Sequence, residues 1–166
     1  MNSKRAGWDE LPLPWKLVAH HNVGGLTEVG FSPDERYLLV VSHSGRGLVE
    51  VNSGLRIARD PEIPWIRSPW RDEPARKMRG IGPASGIQFS VAGLWGGSIP
   101  STTHDGWSVA AKGSGKDEEI WLSCKGNVRE WFLDDAFTEV RALGFSQTGN
   151  LLVVAISSDL WLIARS

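Results

Sequence analysis

The residues of this chain best suited to acid–base or metal chemistry are histidines and aspartates that stand beside predicted turns. His20, His43 and His104 fall next to turns, and Asp34 and Asp105 hold matching positions in two of them. Imidazole and carboxylate groups carry protons and bind metals, so a shared rim of these side chains would suit a small hydrolase. We favour a structural role, because an aspartate in a turn accepts hydrogen bonds from the backbone two positions on. The prediction is therefore no metal site, with the hydrolase kept as the alternative.

The chain lacks the short motifs that mark most catalytic and nucleotide-binding sites. It contains no Gly-x-Ser-x-Gly, no Gly-x-x-x-x-Gly-Lys and no His-Glu-x-x-His sequence, and its single cysteine, Cys124, has no second cysteine with which to bind zinc. From these absences we predict that the protein is not an enzyme and that it uses no cofactor.

A proline-rich insert at residues 60–86 is the first candidate binding segment. Its closely spaced prolines disfavour a helix interior and a central strand, so we expect it to run over the surface without regular structure. Long loops of this kind are usually functional or disordered, and Trp and Arg are enriched at binding hot spots. The residues that we predict to bind a partner are Trp65, Arg67, Trp70, Arg71 and Arg76. In the alternative interpretation, the two tryptophans fold back and plug an open barrel end.

A second candidate segment, at residues 130–139, combines carboxylates with aromatic rings. The predicted partner-binding residues here are Glu130, Trp131, Asp134 and Asp135. An acidic surface with aromatic side chains is complementary to a basic partner, for instance a nuclease. The alternative is an ordinary connection between strands.

The elements that must position these residues follow a repeated pattern. Residues 31–41 and 145–155 are two copies of an apolar strand, a polar turn and a second apolar strand. A weaker copy between them has an apolar run at 87–93, a turn at 103–106 and further predicted strands at 107–111, 119–124 and 128–133. Around the first copy, short apolar runs at 26–31, 37–42, 47–51 and 55–59 predict four strands. The last copy has only three runs, at 140–145, 151–156 and 159–164, and the run at 15–20 is the candidate for its fourth strand.

This pattern resembles the blades of WD40-type β-propellers, in which a Ser-Pro-Asp-Gly type of turn joins the first two strands. Val49 stands where the signature tryptophan would be, so the WD dipeptide is absent. The resemblance implies an all-β fold with about twelve short antiparallel strands in three propeller-like, pseudo-threefold repeats, the N-terminal strand closing the last repeat. Residues 1–166 would form a single β-propeller-like domain that carries the insert at 60–86. Either the insert hides a degenerate fourth blade, or the sheets close as a small barrel.

The composition and the N-terminal sequence bear on where the protein is located and on whether it binds nucleic acid. The 166 residues carry a net charge of -1 and a pI near 6.4, which argues against binding of nucleic acid through bulk charge. The N-terminal residues are polar and basic without the apolar core of a signal peptide, and no apolar run is long enough to span a membrane, so we predict a cytoplasmic protein.

Taken together, these features predict a non-catalytic module that binds another protein. Propeller-like repeats are mostly binding scaffolds, which is consistent with the missing catalytic motifs. A narrower hypothesis is an intracellular inhibitor or immunity protein that neutralises a bacterial toxin. A third possibility is single-stranded nucleic acid stacked on exposed tryptophans, with Arg67, Arg71 and Arg76 on the phosphates.

Overall fold

The computed structural model describes residues 7–63, 68–114, 117–136 and 138–166. These residues form fifteen β-strands and two single-turn 3-10 helices, at Trp8–Glu10 and Gly82–Ala84, and none of the described helices could cross a membrane. The strands are β1 (Trp15–Asn22), β2 (Leu26–Phe31), β3 (Tyr37–Ser42), β4 (Gly45–Glu50), β5 (Arg56–Asp60), β6 (Arg71–Asp72), β7 (Lys77–Arg79), β8 (Gln88–Ser90), β9 (Ala92–Gly93), β10 (Trp107–Lys112), β11 (Glu118–Cys124), β12 (Glu130–Ala136), β13 (Val140–Phe145), β14 (Leu151–Ile156) and β15 (Asp159–Arg165).

Within the described ranges the strands pair antiparallel into four separate sheets. In spatial order the strands are β1-β15-β14-β13 in sheet A, β5-β4-β3-β2-β9 in sheet B, β6-β7-β8 in sheet C and β10-β11-β12 in sheet D. The predicted all-β class is confirmed. The strands outnumber the prediction because the apolar run at 87–93 forms two strands, β8 and β9, and because β6 and β7 are two- and three-residue strands, which leave almost no periodic signal in a sequence.

Hydrophobic side chains stack the sheets in the order D, A, B, C. One cluster of buried residues lies between each neighbouring pair of sheets: around Trp107 and Phe145 between D and A, around Val29 and Val153 between A and B, and around Leu48 and Phe89 between B and C. Because sheets A and B are covered on both faces, all six residues of β3 and all six of β14 are buried. This explains why these strands are continuous apolar runs, whereas β11 in the outer sheet D alternates.

The N-terminal strand, β1, is an edge strand of sheet A and follows β15 in the spatial order. As predicted, β1 pairs with β15, from Trp15 opposite Arg165 to Asn22 opposite Asp159. A stack of three rings reinforces the pairing, because Trp161 of β15 lies between Trp8 and His20, with ring centroids 4.8 Å away on each side. The N-terminal segment is thereby attached to the sheet by ring stacking as well as by backbone hydrogen bonds.

Matching hydrogen bonds confirm the repeated turn at residues 32–35, 103–106 and 146–149. Strands flank the first and last turns on both sides, whereas only an isolated bridge, Thr102 with Ser108, precedes the middle one. In each turn the N–H of the fourth residue donates to the carbonyl of the first, and the hydroxyl of the first accepts from a backbone N–H of the next strand. The fourth residue has a positive φ in all of them, at Glu35, Gly106 and Gly149. Glycine adopts that conformation without strain, which accounts for its presence in two of the copies.

The expectation of an insert without regular structure is wrong for residues 71–84. β6, β7 and a 3-10 helix form here, and Met78 and Ile81 are buried against sheet B. The physical reason is the placement of the prolines: Pro69 and Pro74 fall outside the strands, so the three residues of β7 keep their N–H groups for pairing with β8.

Candidate functional site

The histidines and aspartates of the predicted rim have separate partners. His20 Nε2 lies 2.7 Å from Asp159 Oδ1, and both Asp105 oxygens accept hydrogen bonds from the Arg165 guanidinium. Asp34 accepts a hydrogen bond from the Ser32 hydroxyl. Among the described residues no hydrogen bond joins two of these predicted rim residues, and no group of three or more His, Cys, Asp and Glu side chains is arranged to hold a metal ion.

Of the three predicted residues of the insert that the structure describes, Trp70 and the Arg71 side chain are buried and Arg76 is not. Trp70 is 4% exposed and its ring stacks against the Arg46 guanidinium at 3.7 Å, so it contacts sheet B rather than solvent. Arg76 is partly exposed and forms an ion pair with Glu73. Trp65 and Arg67 lie outside the described residues.

Arg71, the remaining residue of that prediction, is part of a buried charge network. Its side chain is 5% exposed and forms ion pairs with Glu28 and Glu73. Burial raises the pKa of Glu28, and the Arg71 charge opposes that shift only in part. The network joins sheet C to sheet B, which makes it a structural cross-link.

The acidic segment at 130–136 is divided between the two faces of sheet D. Trp131 faces inward and belongs to the core between sheets D and A. Asp134 accepts a hydrogen bond of 2.7 Å from Trp8 Nε1. Glu130 and Asp135 are paired with outward-facing residues of β11, so these two carboxylates of the prediction belong to the outer surface.

Three cross-strand rows of side chains cover the face of sheet D that points away from sheet A. Successive side chains of a strand point to opposite faces, so the neighbours of the buried Ile120 and Leu122 point outward. The rows are Ser108, Ser123 and Glu130; Ala110, Trp121 and Phe132; and Lys112, Glu119 and Asp135. We call these nine residues the outer D face.

The centre of the outer D face is an aromatic pair that already holds a cation. Trp121 and Phe132 meet edge to face at 5.5 Å, and Lys112 Nζ lies 5.2 Å from the Trp121 ring centroid. Lys112 Nζ also donates a hydrogen bond of 2.6 Å to Glu130, and Trp121 Nε1 donates one of 3.1 Å to Glu119. A cation above an aromatic ring and beside carboxylates is bound by both kinds of group. The arrangement has the groups that an ammonium or guanidinium ion binds to.

The surface continues from this site into a shallow depression of about 510 Å³. Ser108, Ser123 and Glu130 form one side of it, and the turn with the fully exposed Val128 forms the other. An exposed apolar residue beside a groove offers contact area to a partner's chain. The outer D face and the depression together can accommodate an extended segment several residues long.

The sequence analysis missed Lys112, Trp121 and Phe132 as site residues. The available signal was the alternation in β11, where Glu119, Trp121 and Ser123 occupy every second position opposite a buried Ile120 and Leu122. That alternation identifies an outward aromatic ring, but which cation lies above it depends on the pairing of three strands. No protein-family model matches this sequence, and comparison with curated proteins finds no significant relative.

Proposed function

We propose that this chain is a non-catalytic protein-binding module whose outer D face binds a basic segment of another protein. The observation that carries the proposal is the position of Lys112, which lies over Trp121 and donates to Glu130. In this view Lys112 occupies, within the free protein, the place that a lysine or arginine of the partner takes in the complex.

In the proposed complex, a lysine or arginine of the partner replaces Lys112, because Lys112 is only weakly held by its ion pair. Its side chain is 47% exposed and that of Glu130 is 44% exposed, so their ion pair is worth at most about 1 kcal/mol. An arginine in the same place would stack on the Trp121 ring and pair with a carboxylate through two parallel hydrogen bonds, which a lysine cannot do. Glu119, Glu130 and Asp135 place carboxylates in two of the three rows, and carboxylates at a binding surface are complementary to a basic segment.

The partner class that this surface favours is a protein with a basic active site. Enzymes that cleave nucleic acids bind phosphates through lysines and arginines, and an acidic inhibitor can cover such a site by charge complementarity. The narrower proposal is accordingly a cytoplasmic inhibitor or immunity protein against a bacterial toxin of the nuclease type. We also keep a degenerate, WD40-like propeller arrangement as a proposal, supported by the repeated turn and by the closure of sheet A by β1.

The test is calorimetric titration of the protein with an arginine-rich peptide. Trp121→Ala should weaken binding by about tenfold, because it removes the ring that stacks on the guanidinium. Lys112→Ala should strengthen binding by several-fold, because it removes the internal competitor.

Lys77→Ala is the matched control for the charge change. Lys77 is exposed in sheet C, so removing it lowers the net charge equally but leaves the outer D face intact. If Lys77→Ala strengthened binding as much as Lys112→Ala, the effect would be bulk electrostatics and the proposed site would be wrong. A glutamate-rich peptide of equal length that bound as well would also contradict the proposal.

A further inference from the structure

We propose that a cleft between sheets A and B binds a small organic phosphate, at a site separate from the outer D face. The cleft has a volume of about 270 Å³ and lies between the edge strand of each sheet, β1 of sheet A and β5 of sheet B. A cleft of this size suits a ligand at the small end of the range that protein pockets accommodate.

Two arginines of β5 point into the cleft. Arg59 is opposite Gly47 and Arg56 is opposite Val49, and paired residues share one face of a sheet. Val49 belongs to the core between sheets A and B, which identifies this as the face that borders the cleft. The arginines are therefore on one strand, on one face and at the mouth of one cavity.

The positive charge of Arg56 and Arg59 is not neutralised locally. The described residues that line the cleft include no carboxylate, and neither guanidinium forms an ion pair with a described residue. The nearest acidic residue of β5, Asp60, is occupied by Arg46 at 2.7 Å and by the N–H of Glu62. Two guanidinium groups without counter-charge bind a phosphate well, because each presents several N–H donors to its oxygens.

The rest of the lining supplies a hydroxyl donor and an apolar wall. Ser44 lies on the turn between β3 and β4 and supplies a hydroxyl, whereas the hydroxyl of Ser42, the last residue of β3, already donates to the Gly45 carbonyl. Val40, Val49 and Leu160 line the side of the cleft toward the core. His21 is fixed by a hydrogen bond of 2.8 Å from Nε2 to the Gly54 carbonyl, which holds β1 against the turn before β5. A ligand with a phosphate at one end and a compact apolar body at the other matches this distribution.

Gly47 lines the cleft without a side chain of its own. A Cβ on Gly47 would contact only the aliphatic part of the Arg56 side chain, at 3.4 Å, so a larger residue here would narrow the cleft and displace Arg56. The backbone of Gly47 is in an ordinary extended strand and does not require glycine for its conformation. A larger residue can therefore be introduced there to fill the cleft without straining the fold.

The test uses phenyl phosphate as the probe, with inorganic phosphate and phenol as comparison ligands, in calorimetric titrations of the full chain. Phenyl phosphate should bind about tenfold more tightly than either comparison ligand, since it uses the arginines and the apolar wall together. Arg56→Ala and Arg59→Ala should each weaken its binding by about tenfold. Gly47→Val should abolish binding while the melting temperature stays within a few degrees of wild type.

Matched controls separate the cleft from general effects of charge and volume. Arg129→Ala removes an equal charge from the turn before β12, and Gly86→Val adds an equal side chain where a Cβ would contact nothing within 4 Å. Both control variants should bind phenyl phosphate like wild type. The proposal is overturned if wild type does not bind phenyl phosphate, or if binding survives Gly47→Val or both arginine substitutions.

Discussion

At the scale of single residues, the Arg165 side chain connects two of the repeated turns to β1. Its two terminal nitrogens donate to both oxygens of Asp105 at 2.6 and 2.7 Å, and its Nε donates to the Gly149 carbonyl at 2.8 Å. The guanidinium also lies 4.8 Å from the Trp15 ring centroid. One side chain of β15 thus connects the turn at 103–106, the turn at 146–149 and β1. Sequence reasoning placed Asp105 on a rim with histidines, because nothing in the local pattern shows an arginine arriving from another sheet.

The Arg165–Asp105 pair predicts a pH-dependent loss of stability. The hydrogen bonds from Arg165, and then that from Thr103, hold the pKa of Asp105 well below its usual range. A carboxyl whose pKa is lower in the folded state than in the unfolded state stabilises the fold above the unfolded pKa, near 3.9, and loses that contribution as the pH falls further. Asp105→Asn should therefore cost up to about 1 kcal/mol at pH 7, since the pair is half exposed, and progressively less below about pH 4.

Urea unfolding of wild type and Asp105→Asn across this pH range measures the difference. Asp117→Asn, which removes an exposed carboxylate elsewhere, shows how much of the change comes from net charge alone. A difference between wild type and Asp105→Asn that stayed constant down to pH 2 would show that the asparagine acts through packing instead.

At the scale of elements, the repeated turn is the unit that joins successive strands. Ser32 is the most buried first residue of these turns. Its hydroxyl accepts a hydrogen bond from the Tyr37 N–H at 3.0 Å and donates one to Asp34 at 2.7 Å. We expect Ser32→Ala to lower the free energy of unfolding by about 1–3 kcal/mol, because it leaves a buried N–H without a partner. Ser85→Ala, at an exposed position, should change it by less than about 0.5 kcal/mol. Equal losses in the two variants would mean that the turn hydroxyl has no special role.

Long, fully buried strands are predictable from the sequence, whereas very short strands are not. β3 and β14 were predicted at their observed positions, because six consecutive buried residues between turn residues leave a strong signal. Of sheet C only β8 falls within a predicted run, at 87–93; β6 and β7 were not predicted, because they are too short for a periodic pattern and exist only through pairing and through the core that they share with sheet B. For the same reason Trp70 was expected at the surface: its burial depends on Arg46, which lies on a different sheet.

At the scale of the whole molecule, the order D, A, B, C places the described residues of sheets A and B between two sheets and those of C and D against one. Hydrogen exchange should reflect this order. Amides of β3 and β14 should exchange most slowly, because opening them disrupts the packing on both faces of their sheets. Amides of β7 and β8 should exchange much faster, because each strand pairs over three residues or fewer and buries one face. Similar rates in all sheets would show instead that the molecule opens as a single cooperative unit.

The pairing of β1 with β15 also has a consequence for synthesis. The partners are about 150 residues apart, so at ~5–20 residues per second the first strand waits roughly 8–30 s for the last one to be translated. During that interval Trp15 has no partner strand, and the unpaired edge of β1 is open to other nascent chains on the same messenger. The β1 edge is therefore exposed to pairing with other copies of the chain from its own synthesis until that of β15.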